Sequence, residues 1–158
     1  MTAESELPMA LRAAYLALHR RSEARFARYG VTADQFVLLA RLAGEQALTQ
    51  RELARRMPSD PSTVRAMIVL LERNGLVRRD SHPTDARART VALTAAGKRK
   101  FRQLWTAGES IRAKMYDALR PDEAETLVRL LTQAAEALNA ENLPVGAATA
   151  VQTQEEET

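Results

Sequence analysis

The run Asp60-Pro-Ser-Thr-Val-Arg65 gathers two hydroxyls and a guanidinium just behind a proline. Short polar side chains and a cation on the first turn of a helix can reach base edges, because a DNA major groove admits one helix. Asp60 is a good N-cap and Pro61 suits the first helical position, so a helix starts where those groups are needed. Val64, Ile68 and Leu71 recur at helical spacing and leave Ser62, Thr63 and Arg65 free to point outward. A second cationic group lies in Pro83-Thr-Asp-Ala-Arg-Ala-Arg89. Arg87 and Arg89 on the tip of a narrow β-ribbon would suit a minor groove, where negative potential concentrates. A solvated turn is the bland alternative. Asp85 would repel phosphate, so its expected role is to aim an arginine through charge-assisted hydrogen bonds. Thr49, Gln50, Arg73 and Lys98 complete the expected nucleic-acid contacts.

Those groups need elements to hold them. Leu7 to about Arg28 reads as a helix stopped by Gly30. Thr32-Ala-Asp-Gln35 and Thr49-Gln-Arg-Glu52 are capping-box patterns that open a second and a third helix. The third ends at Pro58, and the tight Met57-Pro-Ser-Asp60 connection to the fourth has the spacing of a helix-turn-helix. The fourth stops at Asn74-Gly75. Leu76–Asp80 and Thr90–Leu93 read as two strands joined by a turn-rich loop, a small hairpin with a basic tip. Thr94 opens a long fifth helix carrying Phe101, Leu104, Trp105, Ile111, Met115 and Leu119, with Gly108 as a weak point. Pro121 starts a sixth, whose cap position, Arg120, is a poor capper. The fold expected is mainly α with a small β-hairpin wing: a winged helix-turn-helix plus a helical lobe. Its parts are a disordered start (1–6), a helical lobe (7–30 with 95–142), a DNA-binding lobe (31–94) and a disordered acidic tail (143–158).

Charge is distributed unevenly. Between Thr49 and Arg102 there are 13 Lys and Arg against 5 Asp and Glu, whereas the rest of the chain has 10 against 15. A basic middle between acidic flanks points to a segment that meets a polyanion. The run Lys98, Arg99, Lys100 and Arg102 either approaches phosphates or forms a solvated face. With no cysteine and two histidines far apart, neither a thiolate metal site nor a dedicated zinc site is expected. No nucleophile–base pair or phosphate loop has usable spacing, so no enzyme and no cofactor are expected. The polar start does not look like a secretory signal, and no apolar run approaches the ~20 residues needed to span a bilayer. A cytoplasmic protein is the expectation.

Several stretches, in order, resemble the MarR (multiple antibiotic resistance regulator) family. They are Leu53-Ala54, Asp60-Pro-Ser-Thr-Val64, Leu71-Glu-Arg-Asn-Gly-Leu-Val77, Asp85-Ala-Arg87 and Leu93-Thr-Ala-Ala-Gly97. The resemblance spans roughly residues 7 to 142. It implies a homodimer paired through the first, fifth and sixth helices, which makes the helical lobe a helical dimerisation lobe, binding a pseudo-palindromic operator as a transcriptional regulator, a repressor in the first instance. It also implies release by a small phenolic or aromatic carboxylate ligand, for which Tyr15, His19, Phe26 and Trp105 are the candidates. The alternative is a ligand-independent or architectural winged-helix module binding DNA or protein. Two departures stand out. Family recognition helices often read Thr-Val-Thr-Arg, but this chain has Thr63-Val-Arg-Ala66, turning the arginine by about 100°. Val69-Leu70 stand where polar residues are usual, and are expected either to widen the core face or to touch another part of a dimer.

Overall fold

The computed structural model describes residues 2–140, so the acidic tail at 143–158 lies outside it. Helix α1 spans Ala3–Phe26, starting four residues before the expected Leu7. The disordered 1–6 arm is therefore corrected: residues 3–6 form the first turn of α1. Their polarity hid this, since Thr2 offers its carbonyl to the Ser5 and Glu6 N–H groups, and Glu4 and Glu6 suit the positive end of the helix dipole. A 3-10 turn, Ala27–Tyr29, closes the helix onto Gly30.

Both capping boxes form. Thr32 and Gln35 open α2, Ala33–Ala43, and Thr49 and Glu52 open α3, Gln50–Arg56. Helix α4 runs Pro61–Arg73. Strands β2, Val77–Ser81, and β3, Arg89–Leu93, pair antiparallel from Val77 opposite Leu93 to Ser81 opposite Arg89. The expected hairpin is one strand too few. β1, Leu48–Thr49, adds to the far edge of β3, giving the order β1-β3-β2. Two residues are too short to show an alternating pattern, so nothing in the sequence announces that strand.

The long fifth helix is also corrected. It breaks into α5, Ala95–Ala107, and α6, Glu109–Tyr116. Gly108 caps the first by donating to the Leu104 carbonyl, and its own carbonyl accepts from Ile111 and Arg112 to start the second. Helix α7 is Pro121–Ala140, and the weak Arg120 cap is offset by Glu123, whose carboxylate accepts the Arg120 N–H at 2.9 Å. Among the described residues no helix is long and apolar enough to cross a membrane.

The chain divides into two compact units at Lys114–Met115. The first holds α1 to α5, the sheet and most of α6. Its core is built from Leu38, Leu39 and Leu42 of α2, Leu53 of α3, Val64, Ile68 and Leu71 of α4, Val77 and Val91 of the sheet and Leu104 of α5. Each such aliphatic side chain contributes roughly 1.5–3 kcal/mol when fully buried. The second unit contains α7, an amphipathic helix.

One close approach ties the wing to α5. Thr94 accepts the Gly97 N–H at 3.0 Å and donates its hydroxyl to the Gly75 carbonyl at 2.6 Å. This draws the first turn of α5 against the end of α4, where Gly75 takes φ 73°. A Cβ on Gly97 would stand 1.9 Å from the Leu76 carbonyl oxygen, whereas one on Gly44 would meet nothing within 4 Å. Gly97→Ala is therefore expected to destabilise the protein by about 2–3 kcal/mol or more. Gly44→Ala should cost nothing, or stabilise by up to about 1 kcal/mol. Urea unfolding of both variants checks this, and equal midpoints would contradict it.

Candidate nucleic-acid interface

The tip of α4 is held by one carboxylate. Asp60 Oδ1 accepts the N–H groups of Ser62 at 3.1 Å and Thr63 at 3.0 Å, together with the Ser62 hydroxyl at 2.5 Å. Oδ2 accepts the Thr63 hydroxyl at 2.6 Å. Hydrogen bonds from the Ser62 side chain, then from the Thr63 side chain and backbone, hold this carboxyl well below the usual carboxylate range. With their protons directed to Asp60, the hydroxyls of Ser62 and Thr63 keep lone pairs for an incoming donor. Cytosine N4–H and adenine N6–H are the donors a major groove offers.

Val64, Ile68 and Leu71 are each 1% exposed, which turns the opposite side of α4 to solvent. Arg65 is on that side, between two grooves. Gln50, Arg51, Ala54 and Arg55 of α3 line one, with Pro61 and Arg65 of α4. Ser62, Arg65, Ala66, Val69, Leu70 and Arg73 line the other. The one-position shift of the arginine thus leaves it on the outer ridge. Val69 and Leu70 are 38% and 42% exposed, so the expectation that they widen the core is corrected. The core stripe is already filled by Val64, Ile68 and Leu71 with Met67 half-buried, and Val69 lies about 100° round from Ile68.

Arg51 and Arg55 were not among the sequence candidates. Their i, i+4 spacing beside Gln50 and Ala54 was the available signal. Arg56, next to them, is turned to Glu45 at 3.1 Å. Thr49 is half-buried and its hydroxyl accepts the Glu52 N–H at 3.1 Å, while Gln50 is half-buried at the start of α3. Arg73 is exposed on the last turn of α4.

In the wing, Asp85 does not aim a guanidinium, and that expectation is corrected. Its Oδ1 accepts the Arg87 backbone N–H at 3.0 Å, and its carbonyl accepts the Ala88 N–H. A carboxylate two residues before an N–H closes a local turn more readily than it reaches along a flexible side chain. The rest of the tip is held by the His82 N–H on the Ala88 carbonyl and the Thr84 N–H on His82 Nδ1. Arg87 and Arg89 are exposed, with no ion-pair partner among the described residues. Their neighbours differ: Arg78 pairs with Asp80 at 3.0 Å, and Arg79 clasps Glu72 of α4 at 2.8 Å. That Arg79 hydrogen bond lowers the Glu72 pKa.

Lys98, Arg99 and Arg102 are exposed on α5, but Lys100 donates to the Tyr29 carbonyl at 3.3 Å and is turned inward. Of the ligand candidates, Phe26 is 3% exposed in the core, 4.6 Å from the Phe36 ring. Tyr15 stacks on His19 with ring centroids 5.6 Å apart. Trp105 is 49% exposed, with the Arg112 guanidinium 3.7 Å over its ring. No group of acidic or histidine side chains among the described residues could hold a metal ion.

Comparison with known proteins gives a consistent result. The MarR family model matches residues 31–88, from the start of α2 into the wing. The transcriptional repressor MdtR of Bacillus subtilis is 29% identical over 145 residues, covering 90% of this chain and 94% of that protein. A Thauera aromatica protein assigned to transcriptional regulation of the hcr operon is 31% identical, covering 68% of this chain and 67% of its own length. Among solved structures, a cysteine-to-serine mutant of Escherichia coli MarR complexed with operator DNA superposes with a TM-score of 0.74. It is 25% identical, covering 82% of this chain and 93% of that one.

The Asp60 cap has a pH signature. Its folded-state pKa lies below an unfolded value of about 3.9, so its stabilisation is full above that value and is lost as pH falls toward the folded one. Asp60→Asn should be less stable than the wild type at pH 7. The gap should narrow steadily below about pH 4. Thermal unfolding of both proteins between neutral and acid pH checks this; a gap independent of pH would contradict it.

Proposed function

This chain belongs to the MarR family of winged helix-turn-helix transcriptional regulators, and from that premise we propose that it binds a pseudo-palindromic operator as a homodimer and represses transcription there. The observation that carries the reading is the outward side of α4. Ser62, Thr63 and Arg65 are exposed on a helix whose other side is locked in the core. Arg51, Arg55 and Arg73 flank them, and Arg87 and Arg89 follow on the wing. The chain is a regulator and not an enzyme.

Two energetic parts follow. The arginines and Lys98 displace counterions from phosphates, which gives affinity that falls steeply with salt. Ser62, Thr63 and Arg65 supply discrimination between bases, each good contact being worth roughly 1–3 kcal/mol. A dimer would place two α4 tips about one DNA turn, roughly 34–36 Å, apart. Exposed apolar residues support pairing: Leu7, Leu11, Tyr15 and Leu18 recur on α1, and Leu127, Leu130, Leu131 and Leu138 on α7. Stripes of that kind on a soluble protein mark interaction surfaces. Repression is supported by the MdtR relative, which is named a repressor.

A ligand-responsive form of this function is favoured by the stack of the exposed Tyr15 on the half-buried His19 and by the exposed Trp105 ring. A ligand must bind two protein states unequally to release DNA. A panel of phenolic and aromatic carboxylic acids should contain members that raise the melting temperature and weaken operator binding together. A panel with no such member would leave a regulator controlled by its abundance.

Arg65→Ala should weaken operator binding by about 5- to 150-fold and relax base preference at its contacted position. Arg87→Ala should weaken operator and scrambled duplexes alike and lower the salt slope by about one. Titrations against both duplexes at several salt concentrations test this. Wild-type affinity in both variants would refute the reading.

A further inference from the structure

We infer that the outward apolar stripe of α4 – Ala66, Val69 and Leu70 – reads thymine C5-methyl groups in the major groove. The inference rests on the DNA-binding reading and names the base chemistry that the same helix selects.

Three features place DNA, and not another protein, over this stripe. The first is continuity: Ala66, Val69 and Leu70 share one groove with Ser62 and Arg65. From Ser62 to Val69 the axis advances about 10.5 Å at 1.5 Å per residue. That equals about three base steps at 3.4 Å each. The second is charge. Arg65 and Arg73 bound the stripe, and neither has an ion-pair partner among the described residues. A second copy of this chain would bring like charges together there, whereas a polyanion satisfies both ends. The third is the base chemistry. The thymine methyl is the apolar group that base pairs present in the major groove, and small aliphatic side chains are its partners. The lone pairs left on Ser62 and Thr63 suit the adenine amino group. They suit the cytosine amino group equally, so the tip admits an A·T pair and the stripe selects it.

Replacing thymine by deoxyuridine removes the methyl and leaves the pairing edge intact. A site selected from a random duplex pool would be remade with each thymine changed in turn, and binding measured for the wild type, Val69→Ser and Leu70→Gln. The wild type should lose roughly fourfold per contacted methyl, at matching positions in both half-sites. Val69→Ser removes both methyls of the side chain and should bring the thymine-to-uracil ratio at one of those positions toward one. Leu70→Gln should do the same at a neighbouring step, and both variants should keep the wild-type salt slope. If the wild type binds its site but tolerates uracil everywhere, the stripe does not read methyls, although the DNA-binding reading stands. If no duplex is selected, the DNA-binding reading itself fails. If the variants keep the full ratio and instead change the oligomeric state in sedimentation, a second copy covers the stripe and the inference is overturned.

Discussion

Burial of Val64, Ile68 and Leu71 fixes the rotation of α4, and each outward group on that helix takes its position from that burial. An α-helix places successive residues about 100° apart. Once three positions are committed to the core, the direction of Ser62, Arg65, Ala66 and Val69 is no longer free. Asp60 sets the other coordinate, the point along the axis where the helix begins. Pro61 adds a backbone angle already suited to a first turn. The backbone of the tip is thus set in both respects by contacts within the chain, so binding has little backbone freedom to remove there.

The wing is held to the same frame by short, local devices. Arg79 of β2 grips Glu72 of α4, and Thr94 links the Gly75 carbonyl to the first turn of α5. Gly97 lets α5 approach the Leu76 carbonyl, a contact that any side chain would block. These contacts explain physically why Leu71 to Val77 and Leu93 to Gly97 carry a family pattern: they are where helix, strand and helix meet. Beyond them, the Asp85 turn shapes the loop backbone, and Arg87 and Arg89 have no ion-pair partner among the described residues. Guanidiniums without an internal partner are available to phosphates, whereas Arg56, Arg78 and Arg79 are already occupied.

Much of this was legible in the sequence because it rests on local rules. The Thr32 and Thr49 capping boxes, the Asp60-Pro61 start and the Gly30 and Gly75 stops each depend on a few adjacent residues. What was not legible depends on contacts distant in the chain or on counts too small to form a pattern. The two-residue strand Leu48–Thr49 exists because β3 has a free edge. Val69 and Leu70 looked like core because they are apolar, and only the filled stripe beside them excludes them. Lys100 looked like its basic neighbours until Tyr29, far away in sequence, offered a carbonyl. Arg51 and Arg55 were overlooked because their usefulness comes from the groove that α3 forms with α4.

The most direct measurement is selection of bound sites from a random duplex pool by the full chain, with the stoichiometry of the selected complex determined by sedimentation. The account predicts an inverted repeat with half-site centres about 10–10.5 base pairs apart, bound by two chains. A pool that enriches no motif, or a single unrepeated element bound by one chain, would contradict it.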